Sequence, residues 1–159
     1  MVSMDFKHFR QEKDKTCGAA VFKQILSILG TEISEKQAVL ECKTKKSGTN
    51  TYNVKDALVN RIKDREINLV HLNISFKEYY HYLDLLSQSN IVYLSNRYIS
   101  HSGGRGRNQL RRHACCAFKG MIYDPSESYP VPIQSYFHVF NRDLIVKRII
   151  LVDNSGWKI

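Results

Sequence analysis

The sequence lacks several features that would assign it to a familiar class. It has no apolar run near the roughly 18 residues that a membrane-spanning helix needs, and its first residues lack the apolar segment of a secretion signal. Its cysteines form no CxxC pair, so neither a zinc knuckle nor a regular disulfide framework is indicated; they are Cys17, Cys42, Cys115 and Cys116. We therefore expect a cytoplasmic protein with reduced thiols and without a metal or cofactor.

Acidic residues are absent from the segment between Leu85 and Tyr123, although the chain carries 15 of them. The same segment contains four arginines close to His113, and these are Arg105, Arg107, Arg111 and Arg112. With a formal net charge of +9, the chain attracts anionic partners. The glycine-rich residues 100–107 predict a surface loop, and we expect this arginine-rich loop to extend to Arg112 and to lead directly into His113. Two interpretations stay open: the arginines are simply solvated, or they bind an anionic substrate.

The length and composition indicate one globular unit. The chain has 159 residues, of which 43% are hydrophobic and 25% charged, and it contains no internal repeat. This length suffices to bury a core without metal or disulfide support. We predict a single domain over residues 1–159.

The first half of the sequence predicts helices. Apolar residues recur near the helical period from Cys17 to Leu29, and Gly30 supplies a stop. Two segments, Ser34–Gln37 and Ser75–Glu78, have the form of a capping box, and Asn53 is a further candidate cap. The predicted helices cover residues 17–29, 34–42, 53–64 and 76–87.

The second half of the sequence changes to short apolar segments, which predict strands. These segments are Ile91–Leu94, Ala114–Phe118, Met121–Tyr123 and Leu144–Val152. Lys119 and Gly120 predict a tight turn between the second and the third. Helices followed by antiparallel strands predict an α+β fold, with N-terminal helices packed on a C-terminal sheet.

Cys17 is the candidate nucleophile, because it lies where the first predicted helix begins. The unsatisfied amides and the positive end of the helix dipole favour a thiolate there, and Lys13 and Lys15 act in the same direction. The alternative is that Cys17 is a small buried hydrophobic residue on a core helix. The other three cysteines are expected to fill core volume.

A nucleophilic thiol needs a histidine from another element, and that histidine needs an acceptor. His113 opens a predicted strand and Asp124 closes the next one, so the hairpin would bring the two side by side. His101 is the alternative base. A zinc site built from His101, His113, Cys115 and Cys116 is not favoured, because adjacent strand residues point to opposite faces.

The oxyanion that forms when sulfur attacks a carbonyl needs hydrogen-bond donors, usually a side-chain amide and the nucleophile's own N–H. Gln11 lies six positions before Cys17 and is placed to supply the amide. The predicted catalytic set is therefore Cys17, His113, Asp124 and Gln11.

The segment from Gln11 to Ala20, QEKDKTCGAA, resembles the opening motif of the C39 bacteriocin-processing peptidases, in which a glutamine and a Cys-Gly-Ala sequence keep the same register. Gly48-Thr49-Asn50 is similar to that family's Gly-Thr-Ser turn, and His113 and Asp124-Pro125 continue the likeness. The resemblance spans residues 11–125. The sequence departs from the family at Thr16, where an acidic or amide residue is usual, and at residues 114–117, where a bulkier aliphatic strand is usual.

The resemblance implies a papain-like fold and a cysteine peptidase that cuts after a pair of small residues, commonly Gly-Gly. The expected partner is a peptide or protein substrate, acidic if the arginines act by charge. Two alternatives stay open. The same residues would serve a glutamine deamidase, and a catalytically silent basic module would bind nucleic acid or an acidic protein, with nucleic acid not favoured.

Overall fold

The computed structural model describes residues 7–12, 15–100, 109–140 and 144–155. The helices are α1 (Cys17–Ile28), α2 (Glu35–Glu41), α3 (Thr51–Arg61), α4 (Phe76–Ser89) and α5 (Ile133–Phe140). The strands are β1 (Ile67–Ser75), β2 (Asn90–Ser100), β3 (Gln109–Phe118), β4 (Met121–Tyr123), β5 (Val131–Pro132) and β6 (Leu144–Asp153). None of the helices in these ranges has both the length and the apolarity that crossing a membrane requires.

The helix boundaries follow local sequence signals. Helix α1 ends as predicted before Gly30, which adopts φ of +92° and donates its N–H to Ser27 O at 3.0 Å. Ser34 caps α2 by accepting from Gln37 N at 3.0 Å. The cap of α3 was placed wrongly by the sequence analysis: Asn50, rather than Asn53, accepts from the backbone of the first turn, so the helix begins earlier.

The strands form a six-stranded antiparallel sheet in the described part of the chain, in the order β1-β6-β2-β3-β4-β5. The predicted α+β class is confirmed, and Lys119 and Gly120 make the predicted turn between β3 and β4. The order of elements is more mixed than predicted, since β1 precedes α4, and α5 lies between β5 and β6. The alternation of apolar and polar residues in Ile67–Ile74 was the available signal for β1.

The sheet is covered on both faces. One cluster of buried side chains joins α1 and α3 to one face and includes Cys116, while a second joins α4 and α5 to the other face and includes Cys115. These adjacent residues therefore point in opposite directions, as strand geometry requires. Helix α1 packs on β3, and Cys17 at its first position lies against His113 and Ala114 of that strand.

Candidate active site

Cys17 is the first residue of α1, and the residue is partly exposed. Burial by itself would raise the pKa of Cys17. The hydrogen bond and charge of His113, with the backbone N–H groups of Ala114 and Gly18, outweigh that effect and lower the pKa below its ordinary value. The thiolate is therefore stabilised by one imidazole and by two backbone donors from different elements.

His113 lies inside β3, opposite Asn96 of β2, rather than at the start of a strand as predicted. Its ring is 9% exposed, and Nε2 donates to Asp124 Oδ1 at 2.6 Å, which leaves Nδ1 for the hydrogen bond with Cys17. Burial alone would lower the pKa of His113, but Asp124 and Cys17 raise it to about 9. The imidazole therefore favours the protonated form, next to a thiol that favours the ionised one.

Asp124 follows the last residue of β4 and is 2% exposed. Besides His113, its Oδ1 accepts from Ser126 N at 2.9 Å and from Ser126 Oγ at 2.7 Å, while Oδ2 accepts from the Tyr136 hydroxyl. Burial would raise the pKa of Asp124, but these donors, His113 first among them, lower it to about 2. The carboxylate stays ionised and is fixed in orientation by both oxygens.

Sequence reasoning missed both of these additional donors. Ser126 was recognisable, because a serine two residues after an aspartate is a common turn pattern in which the carboxylate accepts from the following backbone. Tyr136 was not, since it lies on α5, which the sequence analysis did not predict, and reaches Asp124 only through the packing of that helix.

Gln11 lies beside the loop that follows Asp124. Its backbone N–H donates to Pro125 O at 2.9 Å, so the segment before Cys17 and the segment after Asp124 are tied together. The structure thus brings four predicted residues to one region. Cys17 and Asp124 each pair with His113, and Gln11 is attached to the residue after Asp124.

Glu35 is a further residue that sequence reasoning did not select. It is the first residue of α2 and is only 4% exposed, and its carboxylate accepts from Glu12 N with both oxygens at 3.0 Å. The Thr16 hydroxyl donates to the same carboxylate at 3.3 Å. Glu12 and Thr16 are the neighbours of Gln11 and Cys17, so Glu35 contacts the chain next to both.

The predicted arginine-rich loop is partly a strand. Arg111 and Arg112 lie within β3, opposite Tyr98 and Arg97 of β2, and both are exposed. The prediction that they belong to a loop was wrong, because pairing with β2 carries β3 back to Gln109 through polar residues. Arg105 and Arg107 lie outside the described residues, as does the alternative base His101.

The other three cysteines differ from Cys17 in their surroundings. Cys42, Cys115 and Cys116 are fully buried, and burial raises the pKa of each thiol, to about 12 for Cys42. Within the described ranges, no group of three or more His, Cys, Asp and Glu side chains could bind a metal ion. A thiol paired with an imidazole, and an imidazole oriented by a carboxylate, is the arrangement with which cysteine hydrolases attack carbonyl groups.

No protein-family model and no curated protein matches this chain. The peptidase domain of Streptococcus ComA, a bifunctional ABC transporter involved in quorum sensing, superposes with a TM-score of 0.60 at 16% identity, covering 94% of this chain and 98% of that one. A double-glycine motif protease from an AMS/PCAT transporter, in complex with its leader peptide, superposes with a TM-score of 0.58 at 14% identity, covering 95% of this chain and 93% of that one. The chain has the fold of these peptidase domains, which confirms the fold that the resemblance implied.

Proposed function

We propose that this protein is a cysteine peptidase in which Cys17 attacks the carbonyl carbon of a peptide bond. His113 gives its proton to the leaving amine and then activates the water that hydrolyses the thioester. Asp124 orients His113, and Gln11, with the N–H of Cys17, stabilises the oxyanion. Each bond change uses a group already present in the site, so no cofactor is needed.

The strongest support for this proposal is that the fold shifts the pKa values of two neighbouring groups, Cys17 and His113, in opposite directions. Mutual contact lowers the pKa of Cys17 and raises that of His113 to about 9, whereas burial raises the pKa of each of the other thiols. A thiolate and an imidazolium are the forms that the first step of thiol hydrolysis requires. A cysteine that only fills core volume needs neither a lowered pKa nor a hydrogen bond with an imidazole.

The proposed substrate is an extended peptide with small residues before the scissile bond. The C39-like motif around Cys17 supports a Gly-Gly pair, and one structural neighbour binds a leader peptide. The exposed arginines Arg111 and Arg112 lie two and one positions before His113, so their positive charge supports long-range attraction of an acidic peptide to the site. We further propose that the chain acts as one domain in the cytoplasm.

A fluorogenic peptide with Gly-Gly before the scissile bond tests the proposal. The wild-type protein should release the fluorophore, and Cys17→Ala and His113→Ala should abolish release while leaving the circular dichroism spectrum unchanged. Gln11→Ala should lose about 2–4 kcal/mol of transition-state stabilisation, as other oxyanion donors do. Full activity of Cys17→Ala or His113→Ala would rule out this mechanism.

Mass spectrometry of the products separates peptidase from deamidase activity. A glutamine-containing peptide that is cleaved supports the peptidase. One that keeps its length and exchanges an amide for a carboxyl group supports the deamidase, which uses the same thioester chemistry.

A further inference from the structure

Two segments that carry proposed catalytic groups meet at one buried carboxylate. Glu35 accepts from Glu12 N with both oxygens at 3.0 Å, and from the Thr16 hydroxyl at 3.3 Å. Glu12 directly follows the oxyanion donor Gln11, and Thr16 directly precedes the nucleophile Cys17. These three hydrogen bonds are therefore made by the residues next to Gln11 and Cys17.

Because the Glu35 carboxylate is buried, the folded state favours one arrangement of its hydrogen-bond donors. A buried carboxylate is costly unless its oxygens are hydrogen-bonded, so the folded state favours the arrangement in which both donors reach Glu35. Glu35 is 4% exposed, and it belongs to α2, which packs against α1. The carboxylate is thus fixed relative to the helix that Cys17 begins.

The other side of Gln11 is fixed independently. Its N–H donates to Pro125 O at 2.9 Å, and Pro125 follows Asp124. Gln11 is consequently tied to the carboxylate end of the proposed triad, and its neighbour Glu12 is tied through Glu35 to the residue before the nucleophile.

We propose that Glu35 is a positioning residue that sets the distance between the oxyanion donor Gln11 and the nucleophile Cys17. This inference rests on the proposed peptidase function. The hydrogen bonds that Glu35 accepts come from Glu12 and Thr16, and it acts through these two residues. A displacement of Gln11 by about 1 Å is enough to lose most of what an oxyanion donor contributes.

The test begins with Glu35→Gln, which keeps the size of the side chain but replaces one acceptor oxygen with a donor. On the Gly-Gly peptide, kcat should fall by about 100-fold while KM changes by less than about 3-fold, because the donor acts on the transition state. The matched control is Glu41→Gln, at the other end of α2. This variant removes the ion pair between Glu41 and Arg61 of α3, and it should leave kcat and KM unchanged.

Two further measurements separate positioning from general stability. Alkylation of Cys17 by iodoacetamide forms no oxyanion, so its rate in Glu35→Gln should stay within about 3-fold of wild type. In a Gln11→Ala background, Glu35→Gln should cause little additional loss, because two residues that act through the same donor are not additive.

If Glu35→Gln does not fold, Thr16 carries the test. Thr16→Val removes the hydroxyl that Glu35 accepts from, and this hydroxyl makes no cap bond in α1. Thr16→Val should lower kcat in the same way, and Thr16→Ser, which keeps the hydroxyl, should restore it.

The outcomes distinguish the two proposals. If the wild-type protein does not cleave the peptide, the proposed function fails and this inference fails with it. If the wild type is active and neither Glu35→Gln nor Thr16→Val loses kcat, only the positioning role is wrong. If Glu35→Gln loses alkylation as well, or its loss adds fully to that of Gln11→Ala, Glu35 is a structural residue and the proposal is overturned.

Discussion

Gly18, the residue after the proposed nucleophile, leaves no room for a side chain. A Cβ built on it would lie 2.7 Å from Thr49 Cβ, and 3.1 Å from both Thr49 Oγ1 and the Tyr93 hydroxyl oxygen. Carbon atoms in contact are normally about 3.5–4 Å apart, so Gly18→Ala requires a displacement of roughly 1 Å. We expect that displacement to move the N-terminus of α1 away from the sheet, since Tyr93 of β2 is buried and cannot easily give way.

The magnitude follows from two opposing effects. Overpacking of a filled site costs about 1–3 kcal/mol, and alanine gains up to about 1 kcal/mol over glycine in a helix, so we expect the free energy of unfolding to fall by about 1–2 kcal/mol. The loss of catalysis should be larger than the loss of stability, because displacing a nucleophile by about 1 Å lowers kcat on the order of 100-fold. Urea denaturation and turnover of the Gly-Gly peptide measure the two quantities.

The matched control is Gly30→Ala, the same substitution at the other end of the same helix. Nothing lies within 4 Å of a Cβ there, but φ is +92°, so the variant should lose stability through backbone strain of about 1–2 kcal/mol and keep its activity. Thr49→Gly, which removes the crowding carbon, should partly restore kcat when combined with Gly18→Ala. Equal kcat values for Gly18→Ala and Gly30→Ala would refute the reasoning.

Three other predictions concern reactivity, pH and charge. At neutral pH, Cys17 should react with iodoacetamide far faster than the three buried cysteines, and equal rates by peptide mapping would contradict the activated thiol. The alkaline limb of kcat/KM should lie near pH 9, where His113 loses its proton, and Asp124→Asn should shift it to lower pH because the carboxylate raises that pKa; an unmoved limb would argue against the pair. Replacing Arg111 and Arg112 with glutamine should raise KM for an acidic peptide more than for a neutral one and weaken its salt dependence, since exposed charges are screened over about 8–10 Å; an unchanged salt profile would mean that these arginines are only solvated.

Local sequence was enough to predict the features that depend on neighbouring residues. The sequence correctly predicted four such features: the start of α1 at Cys17, its end before Gly30, the cap at Ser34 and the turn at Lys119-Gly120. Each depends on backbone conformations or donors within a few positions along the chain.

Long-range pairing decided the boundaries that the sequence analysis missed. The polar residues at the start of β3 form a strand because β2 satisfies their backbone groups, so Arg111 and Arg112 belong to the sheet although their own pattern predicted a loop. The cap of α3 is a separate case: both Asn50 and Asn53 offer a capping side chain, and only the folded chain shows that Asn50 is the one used.

For the site, the sequence supplied Gln11, Cys17, His113 and Asp124 as residue types in a recognisable order, and the hairpin argument correctly brought His113 beside Asp124. Only the tertiary structure added the groups that orient them, namely Ser126 and Tyr136 on Asp124, and Glu35 on the segment between Gln11 and Cys17. Candidate reactive groups can be recognised in a sequence because the chemistry restricts which residue types can serve. A supporting donor or acceptor is defined instead by where packing brings its oxygen or nitrogen, and that position exists only once helices distant in sequence have packed against the sheet.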